Sequence, residues 1–394
     1  MSKLNELLEL HCPNGVEYKR LGDICKVLRG KRLTTRDLLE DGIFPVYHGG
    51  IEPIGYYNES NREAYSVMII NVGASAGTVG FCDKKFWSSD GCFCFSHNEL
   101  LMQKYLYYAL QTIEYSIKSK VRKAGIPTLD NKEIERIEIP FPPLEVQEEI
   151  VKILDRFAEY AAELQAELQA RQEQYEYYRN KLLTFNEIGG GRSVIWMKMS
   201  EIGAFIRGKR FVRTDIVNDG VPCIHYGDMY TYYGLYATKS KGMLRSELAP
   251  KMRYALKNDV VIVAAGENKE DIGIGMAWLG DEPAAVHDAC FIFKSDLYPQ
   301  YVSHYLRTNY YHKQIVKHVS EGKICSISAK GLGNAIIPIP SYEEQVRIAT
   351  LLNKFDELVS DLVQGLPAEI AAVKEQYEYY RNKLLSFPEN KLSA

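Results

Sequence analysis

The segment Glu-Gln-Tyr-Glu-Tyr-Tyr-Arg-Asn-Lys-Leu-Leu at 173–183 recurs without change at 375–385. Eleven consecutive identities limit what the chain can be, and weaker matches fall in the same order upstream. Ile139-Pro140-Phe141-Pro142, followed by Gln147 and Phe157, matches Ile337-Pro338-Ile339-Pro340 with Gln345 and Phe355. Arg29-Gly30-Lys31-Arg32 with Asp41-Gly42 matches Arg207-Gly208-Lys209-Arg210 with Asp219-Gly220. His48 pairs with His225, Gly73 with Gly266, and Asp90-Gly91-Cys92 with Asp288-Ala289-Cys290. The chain is a tandem duplication with insertions, and its 394 residues suit two domains plus connecting elements.

Each half begins with strand-like runs that stop at small residues, 65–72 and 93–95 in the first copy and 259–264 and 291–293 in the second. Helical stretches are expected at 105–112 and 301–308. Each half then passes a proline-marked boundary into a long helix. Ile150, Leu154, Phe157, Ala161, Leu164, Leu168, Arg171, Tyr175, Tyr178 and Leu182 step by alternating 4 and 3, the spacing of a coiled coil. The second copy gives Ile348, Leu352, Phe355, Val359 and Leu362, then Ile370, Val373, Tyr377, Tyr380 and Leu384. Gly365-Leu366-Pro367 interrupts it, which predicts a kink or an unwound step. The expected fold is α+β. Two similar domains at 1–143 and 188–340 are expected to alternate with helices at 144–187 and 341–394, which pair as an antiparallel coiled coil and hold the globular halves apart.

The net charge of -3 hides a segregation. The balance is about 0 over 1–143, -5 over 144–187, +5 over 188–340 and -3 over 341–394. Acid collects on the expected helices, and local basic patches rather than the total decide phosphate binding. No apolar run approaches a bilayer span, and the first residues lack the layout of a secretory signal. The eight cysteines show no CxxC pair, so reduced, partly buried thiols in a cytoplasmic protein are expected.

Catalytic signatures are missing. There is no GxxxxGK[ST], and the glycines at 73, 77 and 80 mark a strand-to-loop turn rather than a phosphate cradle. No Asn/Asp-Pro-Pro-Tyr/Phe segment points to amino methylation. Asp259, Glu267 and Lys269 mimic a nuclease arrangement, yet the matched first-half positions carry no carboxylates. Basic loops remain as the candidate chemistry, because Lys and Arg neutralise phosphates while groove-facing polar tips read bases. In the first half the candidates are Arg29, Lys31, Arg32, Arg36, Lys84, Lys85, Trp87, Ser88, Lys120, Arg122 and Lys123. In the second they are Arg207, Lys209, Arg210, Arg213, Tyr232, Tyr233, Lys239, Lys241, Asn268, Lys269 and Lys323. The repetition of such clusters in both halves argues for DNA binding.

The Ile-Pro-x-Pro segment, its following glutamine, and the helix ending in Tyr-Glu-Tyr-Tyr-Arg-Asn-Lys-Leu-Leu resemble the conserved regions of type I restriction–modification specificity subunits, the IC subfamily in particular. The opening Gly-Val-Glu-Tyr-Lys-Arg-Leu-Gly-Asp-Ile at 15–24 is similar to the start of their target recognition domains. The resemblance implies a non-catalytic subunit that reads a bipartite DNA target with unread base pairs between the halves. It implies two modification subunits that methylate adenine and two restriction subunits. S-adenosylmethionine, ATP and Mg would then sit on those partners and not on this chain. The helices would act as a ruler for the spacer, although the Gly365-Leu366-Pro367 interruption breaks the symmetry on which such an estimate rests. Tyr177 and Tyr379 cannot join their neighbouring tyrosines on one seam and are expected to face outward as partner anchors. Divergent halves imply an asymmetric target. A recognition subunit of a related defence methylation system, or a coiled-coil scaffold without a DNA role, would share much of this pattern.

Overall fold

The computed structural model describes residues 2–185, 194–361 and 365–389. Leu362 and the expected domain boundary at 187/188 lie outside these residues. The chain divides into two compact units, one comprising 1–164 and 370–394, the other 165–369.

In the first unit, Val27–Arg29, Cys92–Phe95, Ser66–Ile70 and Val79–Cys82 form an antiparallel sheet in that order. The run Ser-Val-Met-Ile-Ile is buried throughout, which is why it reads as continuous apolar sequence rather than as an alternation. A smaller sheet places Phe44–Tyr47 between Gly55–Tyr57, antiparallel, and Trp87–Ser88, parallel. The second unit repeats both sheets with added strands. Gly203–Arg207, Cys290–Ser295, Val260–Val263 and Gly275–Trp278 correspond to the first sheet. Val221–Ile224 runs parallel to Ala284–Val286, as Phe44–Tyr47 does to Trp87–Ser88. The segment 71–78 is the turn between two antiparallel strands, with positive φ at Gly73 and Gly77, while Gly80 stands in the second strand opposite Met68.

Helix Gln103–Thr112 lies where one is expected. Its counterpart stops early, at Pro299–Tyr305, because the Thr308 side chain accepts from the Tyr311 N–H and caps a separate helix, Asn309–Ile315.

The proline motif has a physical function that repeats. Gln147 is buried; its Nε2 donates to the Leu100 and Pro142 carbonyls, and its Oε1 accepts from the Met102 N–H. Gln345 donates to the Pro340 carbonyl and accepts from the Tyr298 N–H. Tyr105 and Tyr301 donate their hydroxyls to the Pro140 and Pro338 carbonyls, at 2.9 and 2.8 Å. The prolines end the strand, and the glutamine satisfies the backbone groups that the ending would strand in the interior.

The long helix spans Leu144–Thr184, 41 residues. The second copy is two helices, Tyr342–Ser360 and Leu366–Leu384, with Asp361 in extended conformation after the first. The expected interruption therefore falls between two separate helices. Helices pair antiparallel as a coiled coil within each unit. In the first unit Phe157 stacks on Tyr380 at 5.3 Å, while Leu384 joins a core with Val146, Ile150 and Leu154. In the second, Phe355 stacks on Tyr175 and Tyr178. The identical helix ends are completed differently. Tyr175 meets His304, whose Nε2 bonds Asn353 at 2.8 Å, whereas Tyr377 donates to Gln111 at 3.2 Å. All eight cysteines are unpaired thiols, seven of them buried. Among the described residues no helix is long and apolar enough to cross a membrane.

Candidate nucleic-acid interface

The two Arg-Gly-Lys-Arg loops are built on one backbone plan. In the first unit the Gly30 N–H donates to the Cys92 carbonyl at 3.2 Å and the Lys31 N–H to the Ser88 carbonyl at 3.0 Å. In the second the Gly208 N–H donates to Cys290 at 3.0 Å and the Lys209 N–H to Val286 at 2.9 Å. The glycine is required because the loop crosses against this backbone. A Cβ at Gly30 would lie 1.9 Å from the Ser89 carbonyl oxygen, and one at Gly208 2.2 Å from that of His287. An aspartate then closes the turn, Asp37 accepting from the Thr34 N–H and Asp215 from the Val212 N–H, each at 2.8 Å.

A second arginine supports each loop from behind. Arg62 donates to the Arg29 carbonyl at 2.8 Å, and Arg253 donates to the Arg207 carbonyl at 2.7 Å. Sequence reasoning missed this pair, because the spacing from loop to supporting arginine differs between the copies. The two are alike in the carbonyl they hold and not in strand register: Arg62 bridges to Phe86, whereas the Arg253 carbonyl accepts from the Val286 N–H, two positions further along the matching strand.

Arg29, Lys31, Arg32, Arg36, Arg207, Lys209, Arg210 and Arg213 are exposed. So are Lys84, Lys85, Lys120, Arg122, Lys123, Tyr232, Lys239, Lys241, Asn268 and Lys323. Three candidates are corrected. Trp87 and Ser88 are buried: Trp87 Nε1 donates to the Lys31 carbonyl at 2.8 Å, so this ring carries the loop and does not face a ligand. Tyr233 is also buried, its hydroxyl accepting from the Lys241 N–H at 2.8 Å. These residues follow strand or turn positions whose side chains point inward, which their polar neighbours concealed. Others are exposed or half-buried but already charge-compensated. Lys85 pairs with Glu63, Lys269 with Glu321, and Lys241 with Asp228 at 2.8 Å while lying over the Tyr232 ring. Asp259 is engaged by Lys294 at 2.6 Å and by the Leu256 N–H, which removes it from any arrangement with Glu267. Among the described residues no cluster of His, Cys, Asp and Glu is placed to hold a metal ion.

The second unit brings several elements to one open cleft of about 450 Å³. Arg210 and Arg213 of the loop line it with Phe211, His225, Tyr226, Glu267, His287 and Asp288. Ile324, next to Lys323, and Glu267, next to Asn268, extend the same rim. Burial and the neighbouring His287 push the His225 imidazole below its ordinary range, partly offset by Asp228. Burial does the same to His287, against the opposing pull of Asp288 and a hydrogen bond to the Phe211 backbone. Both rings are held neutral at physiological pH.

On the helix ends, Tyr177 and Tyr379 are 56% and 59% exposed, each with a lysine four residues on packed over its ring. Tyr175 is buried and Tyr377 half-buried.

Comparison with known proteins agrees with this architecture. Residues 13–174 and 195–372 match the model of the type I restriction modification DNA specificity domain, and the chain belongs to that family as a type I specificity subunit. It is 29% identical to the EcoR124I/EcoR124II specificity subunit of Escherichia coli over 98% of both chains. It is 27% identical to the MjaVIII specificity subunit of Methanocaldococcus jannaschii over 90% of this chain and 89% of that one. The solved S subunit from M. genitalium shares the fold, with a TM-score of 0.59 and 17% identity over 94% of this chain and 96% of that one.

Proposed function

We propose that each unit reads one half of a bipartite, asymmetric DNA target. The basic loop would supply phosphate affinity, and the side chains around it base discrimination. The observation that carries this reading is the duplicated loop. Two copies hold the same cations on the same glycine, aspartate and supporting arginine, while the residues flanking them differ. A conserved scaffold for phosphate contacts beside divergent reading surfaces is what two different half-sites require.

The acidic helices suit protein partners better than DNA. Two modification subunits would dock on the equivalent surfaces at Tyr177 and Tyr379, and restriction subunits would join them. S-adenosylmethionine, ATP and Mg would be held by those partners. The symmetry of the exposed tyrosine–lysine pairs supports two equivalent docking sites.

Duplex binding measured against salt tests the DNA reading. Replacing Arg207, Lys209 and Arg210 together with alanine is expected to lower the slope of log K against log salt by up to about 2.7. An unchanged slope and affinity would remove this loop from the interface.

A further inference from the structure

We propose that His225 is a base-reading residue of the second unit, donating its Nε2–H to an acceptor on a base edge in the major groove. The inference rests on the DNA-reading function proposed above and names one side chain that gives it specificity.

Hydrogen bonding sets the ring's chemistry. The Gly227 N–H donates to His225 Nδ1 at 3.2 Å, so Nδ1 carries no proton and, in the neutral ring, Nε2 does. Among the described residues Nε2 has no protein partner, and it is not among the sealed, unsatisfied polar atoms. The donor therefore opens on the cleft that the ring lines. Only 6% of the residue is exposed, because packing fixes the ring. Its centroid lies 4.8 Å from His287, 4.7 Å from Tyr226 and 6.0 Å from Phe211. A donor held this way has little rotamer entropy left to lose on binding.

The cleft is suited to an edge rather than to a flat, extruded base. Its rings meet one another at interplanar angles from 37° to 83°, so no two are parallel and none forms a slot for stacking. What it offers is hydrogen bonding: the neutral His225 donor, with Arg213 and the Asp288 carboxylate on the rim. Major-groove acceptors that such a donor distinguishes are purine N7, guanine O6 and thymine O4.

The first unit lacks this device at the matching place. Ser89 stands in register where the second unit has His287, since the Ser89 N–H donates to the Tyr47 carbonyl as the His287 N–H does to Ile224. Leu33 replaces Phe211. Without those rings, the His48 side chain is 42% exposed and lies 3.4 Å from Asp90. The two units thus present different chemistry at one structural position.

The test uses the full chain assembled with its modification subunits. Duplexes carry the mapped methylation target with each base pair replaced in turn. Wild type is expected to lose about tenfold in affinity at the position His225 reads. His225→Phe keeps a ring without the donor and is expected to bring that ratio near one at this position alone. His225→Gln restores an N–H near the Nε2 position and is expected to recover the discrimination. Wild-type discrimination at every position in His225→Phe overturns the inference and leaves the DNA-reading function standing. Equal weakening at all positions by both variants overturns it too, in favour of a packing role. Failure of wild type to prefer any duplex overturns both proposals.

Discussion

Single residues decide whether the basic loop exists. Gly208 admits no side chain because its missing Cβ would sit 2.2 Å from a backbone oxygen, which cannot swing aside as a flexible side chain would. Gly208→Ala is expected to displace the loop and cost about 1–3 kcal/mol of stability. Specific duplex binding should fall along with the urea midpoint, whereas Gly50→Ala, with open space around its Cβ, should change neither much. The loop's cations were legible in the sequence because Arg-Gly-Lys-Arg recurs with its neighbours in order. Trp87, Ser88 and Tyr233 were misread for a definite reason: their inward direction depends on the strand pairing of 87–88 and on backbone partners outside their own segments, the Lys31 carbonyl for Trp87 and the Lys241 N–H for Tyr233, which local composition does not encode. Arg62 and Arg253 were invisible for a related one, since neither their sequence offset nor their strand register is shared and only the carbonyl that each holds is the same.

At the scale of elements, the proline–glutamine motif and the helix ends do the positioning. Gln147→Leu removes three hydrogen bonds and leaves the half-buried Met102 N–H and the buried Pro142 carbonyl without this partner. A loss of about 3 kcal/mol is expected, read as a lower denaturant midpoint at unchanged m-value. Helix existence and seam were readable from the 4–3 alternation, and so was the interruption: the first helix ends at Ser360 with Asp361 extended, and the second begins at Leu366. His304 adds a pH dependence to the second unit. Burial pushes its imidazole down to about 3, where Asn353 fixes Nε2–H as donor and leaves Nδ1 for the Tyr175 hydroxyl. The unfolded chain takes up a proton near pH 6.5 and the folded one does not, so stability falls as pH drops through that window. Between pH 7 and 5 the loss from this residue is about 2 kcal/mol. His304→Gln should flatten that dependence, as followed by urea denaturation at the two pH values.

Across the whole molecule, duplication explains both what is shared and what differs. Each unit combines its own sheets with part of the long helix Leu144–Thr184 and one of the two helices of the second copy, so the identical sequences at 173–183 and 375–385 each complete the core of the other copy's domain. In the proposed reading, shared segments would carry folding and docking, and divergent ones would carry base reading. The histidine–aromatic cleft of the second unit, absent from the first, is the clearest case. The most direct measurement is single-molecule methylome sequencing of cells carrying an active modification partner, with and without this chain. The account predicts a split, asymmetric adenine-methylated motif that appears only when the chain is present. A palindromic motif would contradict the asymmetry of the two units, and no new methylation beside a verified partner would contradict the reading function itself.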